Sequence, residues 1–159
     1  MNLTDNFTLE EMTRTNHPEF AVQNSQVDPT QIGKLTQVCK VLLEPIRLEI
    51  GVPLLIHSGY RCKPLNDAVG STDRSQHLLC EASDFSPIGM DLTQAFKQIW
   101  NMVKIGQLNI GQLIFETQNR QYGTDSWIHI SLGIPWRDVS VCNEILRMID
   151  GKYELIDKC

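Results

Sequence analysis

The sequence predicts an α+β fold, a small antiparallel sheet flanked by helices, and three observations predict it. Apolar residues Ile32, Leu35, Cys39, Leu42, Ile46 and Ile50 recur at helical spacing and mark one face of a long helix. A second stripe, Leu92, Ala95, Phe96, Ile99 and Val103, marks another. Apolar runs of strand length, PLLIHS, CEASDFS, QLIFET and SWIHISL, lie between and after them, the last two placed to pair as a hairpin.

The elements follow in order. Thr8-Leu9-Glu10-Glu11 has the S/T-x-x-E form of a capping box and opens a short helix over 9–14. TNHPEFAVQNSQVDP is polar, proline-punctuated and reads as loop. Asp28 caps the long helix, with Pro29 at its first position, where the missing N–H costs nothing. Pro45 removes a backbone donor inside that helix, so a kink or break is expected near Leu43, and Gly51 ends it.

PLLIHS is a buried strand, followed by a loop with one or two helical turns in GYRCKPLNDAVGS. CEASDFS is a strand with Ala82, Asp84 and Ser86 on one face, Ser83 and Phe85 on the other. Asp91 caps the second helix, which runs to Ile105 and stops at Gly106. QLIFET and SWIHISL are strands joined by the polar loop QNRQYGTD. In SWIHISL, Trp127, His129 and Ser131 share a face while Ile128, Ile130 and Leu132 point into a core. A last helix over 141–149 and a strand-like KYELI follow, separated by an Asp150-Gly151 turn.

Bulk properties narrow the function classes. With 159 residues, 42% hydrophobic and 21% charged, one domain over 1–159 is expected. No run approaches the about 18 apolar residues of a membrane-spanning helix, so no membrane insertion is expected. The start, MNLTDNFTLEEM, lacks the basic and apolar regions of a secretory signal, so synthesis in the cytoplasm is expected. A net charge of −5 without a long basic run argues against nucleic acid as a partner. Five cysteines, Cys39, Cys62, Cys80, Cys142 and Cys159, without C-x-x-C spacing fit reduced thiols.

His77, Asp84 and His129 supply two imidazoles and a carboxylate, a set that leaves the fourth position of tetrahedral zinc to water. Spacing alone does not establish this, because a lone histidine on a strand is usually just hydrogen-bonded. His77-x-x-Cys80 offers a competing structural site with Cys80 as a ligand.

The surrounding residues sharpen the choice. SGYRCKPLNDAVGSTDRSQHLLCEASD resembles the pattern SGYR-x-x-x-LN-x-AVGGS-x-x-SQH-x-x-G-x-A-x-D of the zinc D-Ala-D-Ala carboxypeptidase family, which shares its fold with the hedgehog signalling domain. FTLEEMTRT, LLEPIR, QLIFE and WIHIS resemble further family blocks in the family's order, over about residues 7 to 133.

The resemblance implies a hedgehog/D-Ala-D-Ala-peptidase-like fold and one Zn2+ ion held by His77, Asp84 and His129. It implies that Arg61, in SGYR, binds the substrate carboxylate or a developing oxyanion, which suits the planar guanidinium fork; the competing role is a structural salt bridge. Ser75 and Gln76 match SQH and are expected to bind substrate or orient His77. Trp127, sharing the His129 face, is expected near substrate.

The general base is less direct. Relatives carry an acid shortly before the last histidine, but three residues before His129 stands Ser126. Glu116, of the QLI-x-E block, is the preferred candidate. Asp125 is the second; it is one residue out of register, which on a strand turns a side chain to the other face unless the preceding loop bulges. Cys80 replaces a family glycine, so it either takes a conformation glycine favours or the loop runs differently. His57 lines the pocket or is a satisfied core histidine, and Trp100 and Trp136 are core or pocket walls.

The implied function is a zinc-dependent peptidase that hydrolyses peptide bonds of the peptidoglycan stem, as a D,D-carboxypeptidase or an endopeptidase, expected to act as a monomer. Small single-domain relatives are often encoded by phages or prophages. A lytic or virion-associated enzyme acting on the cell wall after release is therefore expected, with cytoplasmic peptidoglycan recycling also open. The alternative is a catalytically inactive zinc-containing binding module, favoured by Ser126 and Cys80; retention of Arg61 and the His77, Asp84 and His129 set favours the enzyme.

Overall fold

Thr8 caps the first helix as its motif requires: Oγ1 accepts from the Glu11 N–H at 3.2 Å and Glu11 Oε2 accepts from the Thr8 N–H at 2.8 Å, starting α1 (Leu9–Met12). The computed structural model describes residues 1–121, 123–133 and 143–158. The polar segment after α1 is not all loop. It holds a 3-10 turn at Pro18–Phe20 and α2 (Ala21–Ser25), which carry no apolar stripe and bury Asn24 instead.

The long amphipathic stretch divides where Pro45 predicts. A capping box at Asp28 opens α3 (Pro29–Val38), Cys39–Leu43 forms a π-helical turn, and α4 (Glu44–Ile50) ends at Gly51 with φ +73°. In the wide turn the Glu44 N–H reaches back to Cys39 O. Pro45 thereby sits in the first turn of α4, where its missing N–H is tolerated.

β1 (Leu54–Ser58), α5 (Lys63–Ala68), β2 (Ala82–Pro87) and α6 (Leu92–Lys104) then follow, with Asp91 Oδ1 capping α6 at Gln94 N. β3 (Ile110–Arg120) and β4 (Gly123–Leu132) form the expected hairpin, but both strands extend into QNRQYGTD, where continuous pairing replaces most of the loop.

Residues 144–149, expected to be helical, are instead β5 (Glu144–Ile149), followed by β6 (Lys152–Lys158). Residues 141 and 142 of that expected helix lie outside the described residues, as do Tyr122, Trp136, Cys142 and Cys159. EILRMI fits a helical or a strand period equally, and pairing with β3 on one side and β6 on the other decides it.

Among the described residues the strands form a six-stranded sheet of order β1-β2-β4-β3-β5-β6. It is antiparallel except for the parallel β3–β5 pair. Phe85, Leu113, Ile128, Ile130 and Ile145 face the helices and join Leu35, Leu42, Ile46, Phe96 and Ile99 in one core. Burying each such side chain contributes about 1.5–3 kcal/mol. The opposite face carries polar residues and a second, smaller apolar cluster of Ile114, Leu146 and Met148. Cys39, Cys62 and Cys80 are buried free thiols. Among the described residues no helix is long and apolar enough to cross a membrane.

Candidate metal centre

Strand register brings two of the three predicted ligands together. Asp84 on β2 pairs directly with His129 on β4, and Ser58 on β1 pairs with Asp84. His77 arrives from the turn before β2, where its carbonyl accepts from Arg61 N–H at 3.2 Å and from Cys80 N–H at 3.3 Å.

Two backbone features make that turn possible. Cys80 adopts φ +58°, so it takes the left-handed conformation expected of the residue it replaces, with its thiol buried in the core. Gly59 has no room for a side chain: a Cβ there would lie 2.5 Å from Met12 O. The close approach lets Tyr60 N–H donate to Met12 O at 2.8 Å and sets Gly59 O 2.6 Å from His77 Nδ1. Asn24 secures the same loop from below, donating to Thr13 O at 2.7 Å and Tyr60 O at 3.1 Å and accepting from Cys62 N–H at 2.7 Å.

The trio is compact and buried. His77 Nε2 lies 3.2 Å from Asp84 Oδ1 and 3.2 Å from His129 Nδ1, and His129 Nδ1 lies 2.8 Å from Asp84 Oδ1. Gly59 O and Gln76 Oε1 can only accept, so His77 Nδ1–H donates to the first at 2.6 Å and His129 Nε2–H to the second at 2.8 Å. Both inward nitrogens are then lone pairs facing each other and a carboxylate, an arrangement that calls for a cation. Ligands about 2.0–2.1 Å from a tetrahedral zinc stand roughly 3.3 Å apart, close to the spacings found. These residues can therefore hold a metal ion.

Electrostatics agree with that use. Burial pushes His77 down to about 4, so it is neutral and available as a ligand at neutral pH. Burial opposes the charge of Asp84, but without a metal the charge of a protonated His77 first, then hydrogen bonds donated by His129 and His77, outweigh it and hold the carboxyl well below its usual range. Arg61 supports that charge, donating from one terminal nitrogen to Asp84 Oδ2 at 2.9 Å and from Nε to Ser58 Oγ at 3.0 Å. The salt-bridge role of Arg61 is thus present in the structure, and its remaining N–H groups stay available.

A row of side chains crosses the sheet beside the trio. Trp127 on β4 pairs with Glu116 on β3, Glu116 with Met148 on β5, and Met148 with Tyr153 on β6. Burial first, then the nearby Asp84 charge, raises the Glu116 carboxyl to about 7. The buried Trp127 indole N–H lies beside Glu116 and opposes the rise of its carboxyl. Burial and the charge of Glu116 raise the Tyr153 phenol, although the residue as a whole is 61% exposed.

Asp125 pairs with Gln118 and is exposed. Among the described residues β3 and β4 pair without a bulge from Leu113 to Arg120, so Asp125 keeps the face of Trp127 and His129, where the sequence reading expected the other face, and distance alone separates it from the site. It lies four strand positions, about 13 Å, from His129.

Gln76 Oε1 lies 2.8 Å from His129 Nε2. Ser75 Oγ accepts from His77 N–H at 3.3 Å. Cys80 does not join the trio; burial raises its thiol to about 12. His57 is half-buried and satisfied by Ser86 Oγ at 2.8 Å. Trp100 edges the core and donates to Asp157 Oδ2 at 3.2 Å. Sequence reasoning missed Met148 and Tyr153, because reading residues 141–149 as helix hid the strand that carries one and aligns the other. It also missed Asn24, whose only signal was an asparagine in a polar stretch.

No curated protein matches the chain significantly. The Peptidase M15 family profile matches residues 5–131, a span that includes Arg61, the His77, Asp84 and His129 trio and Glu116 and stops before β5. With four-fifths of its length so matched and the donor set folded into one buried cluster, the chain belongs to the Peptidase M15 family, the zinc D-Ala-D-Ala carboxypeptidases.

Proposed function

We propose that this protein is a zinc-dependent peptidase that hydrolyses a peptide bond of the peptidoglycan stem, with His77 Nε2, Asp84 and His129 Nδ1 as the metal ligands. The observation that carries the reading is the convergence of two imidazole lone pairs and a carboxylate within 3.2 Å of one another, inside a Peptidase M15 match. Zinc bound there supplies a Lewis acid and lowers the pKa of water towards about 7.

The chain's own residues supply the rest. Glu116, raised to about 7, is poised to accept a proton from the attacking water and return it to the departing amine. Arg61, anchored on Asp84 and Ser58, turns its remaining N–H groups towards the substrate carboxylate or the developing oxyanion. The Trp127 indole N–H, beside Glu116, is a donor for that carboxylate or for a substrate carbonyl. Asp125 is too far along β4 for the proton transfer. Cleavage as a D,D-carboxypeptidase or as an endopeptidase, by a monomeric single-domain lytic enzyme of phage type acting on the cell wall, is the finer reading that the sequence resemblance supports.

The second reading, an inactive zinc-containing binding module, draws on one observation: Arg61 is already committed to Asp84. Incubating the zinc-loaded protein with purified muropeptides and following products by mass spectrometry separates the two. Products heavier than the parent by one water in total support the peptidase. Uptake of zinc and muropeptide without product supports the binding module.

A further inference from the structure

A hydrogen-bonded chain leaves the candidate metal centre and ends in the segment beyond the family match. His129 Nε2 donates to Gln76 Oε1 at 2.8 Å, Gln76 Nε2 to Gln112 Oε1 at 2.8 Å, and Gln112 Nε2 to Glu144 Oε2 at 3.2 Å. Four elements contribute: β4, the turn before β2, β3 and β5. Glu144 opens β5, thirteen positions past the last matched residue.

The direction of this chain has chemical consequences. A glutamine amide can donate or accept at either end, so two glutamines in series do not choose a direction by themselves. An ionised carboxylate only accepts. Placed last, Glu144 obliges Gln112 to turn its NH2 outward and its oxygen towards Gln76. Gln76 must then do the same, and its oxygen faces His129. That oxygen requires a proton on Nε2 of a neutral imidazole, which leaves Nδ1 as the lone pair facing Asp84 and His77.

The alternative arrangement is available nearby. Asp84 Oδ1, 2.8 Å from His129 Nδ1, is itself a strong acceptor and competes for the imidazole proton. A proton on Nδ1 blocks the metal-facing nitrogen. Gln112 is held in place by its backbone N–H, which donates to Ser131 Oγ at 2.9 Å, and by its pairing with Glu144 across the β3–β5 ladder. Lys158 Nζ lies 3.7 Å from the other oxygen, Glu144 Oε1.

We propose that Glu144 is a positioning residue for the metal centre: as the acceptor-only end of the Gln112–Gln76 relay it fixes the His129 tautomer that presents Nδ1 to the metal. The inference rests on the reading of His129 as a ligand. It assigns the C-terminal strands a part in building the site.

Glu144→Gln keeps the shape of the side chain and removes the fixed direction, so the fold is preserved while the relay can run either way. Zinc affinity measured by competition with a chromophoric chelator is expected to weaken roughly tenfold in this variant and in Gln112→Leu. Imidazole 15N–1H spectra of the zinc-loaded wild type should show His129 with a proton on Nε2 that exchanges slowly with water. That exchange should accelerate in Glu144→Gln. A wild-type His129 bound to zinc through Nε2 overturns the proposal, as does a Glu144→Gln protein unchanged in both affinity and exchange. A wild type that takes up no zinc overturns the metal reading and this inference with it, whereas normal wild-type uptake with an unresponsive variant overturns this inference alone.

Discussion

Asp84 and His129 are direct partners across the β2–β4 ladder, with Asp84 Oδ1 2.8 Å from His129 Nδ1. The pairing depends on strand register, since a slip of one residue would turn either side chain to the core face. A binding geometry set by register is rigid, and His77 is brought to it by a turn that glycine-like backbone at Cys80 permits.

Removal of any one of the three side chains should therefore abolish stoichiometric zinc. His77→Ala, Asp84→Ala and His129→Ala are expected to retain less than about a tenth of the wild-type metal content, while Cys80→Ala retains it fully. Elemental analysis after dialysis checks this. Loss of zinc in Cys80→Ala with retention in Asp84→Ala would reverse the ligand assignment.

Glu116→Gln should keep its zinc and lose roughly 10²–10⁴ in kcat. Asp125→Asn, altered at an exposed position beyond the site, should stay within about threefold of wild type. Steady-state hydrolysis of muropeptides by both variants distinguishes the two carboxylates, and the opposite pattern would assign proton transfer to Asp125.

The raised Glu116 carboxyl also predicts a pH-dependent stability. Its ordinary value of 4.5 rises to about 7 in the fold. The folded chain therefore holds this proton more tightly than the unfolded chain. The stability it contributes is full below about pH 4.5 and is lost as pH rises through about 7. In metal-free protein, Glu116→Gln should match wild type near pH 4 and exceed it near pH 8 by on the order of 1–3 kcal/mol, read from urea unfolding. An equal difference at both pH values would show that Glu116 is not desolvated.

Cys80 reverses the usual order of alanine and glycine. Cys80→Ala keeps a left-handed backbone at about 1 kcal/mol of strain and loses buried volume, whereas Cys80→Gly loses the volume but relieves the strain. Thermal melts should place Cys80→Gly at or above Cys80→Ala. A Cys80→Gly protein clearly less stable than Cys80→Ala would mean that this position is unstrained.

Tyr153 extends the Trp127–Glu116–Met148 row to the edge of the sheet. If substrate passes over Glu116, Tyr153→Ala should raise KM several-fold with little change in kcat, and Tyr153→Phe should fall between. Unchanged kinetics in Tyr153→Ala would confine the substrate to the β1–β2 side.

The parts legible in the sequence were those with local causes. Thr8 and Asp28 announce their helices through capping boxes, and Pro45 announces the irregular turn before it. The His77, Asp84 and His129 group was visible as a candidate because its side chains sit in the matched motifs. β5 was not, because Ile145, Leu146, Met148 and Ile149 suit either period and only parallel pairing with β3 makes them a strand. Gln76 bonding His129 across 53 positions and Asn24 tying Thr13 to Tyr60 and Cys62 are long-range hydrogen bonds with no local pattern to announce them.

The proposed function requires that His77, Asp84 and His129 hold one zinc ion with an open fourth position beside Glu116. Anomalous diffraction at the zinc edge from crystals of the zinc-loaded protein tests it most directly. One ion is expected about 2.0–2.2 Å from His77 Nε2, an Asp84 oxygen and His129 Nδ1, with the fourth position open to solvent. An ion held elsewhere, or one whose fourth position is closed by Cys80 or another protein side chain, would contradict it.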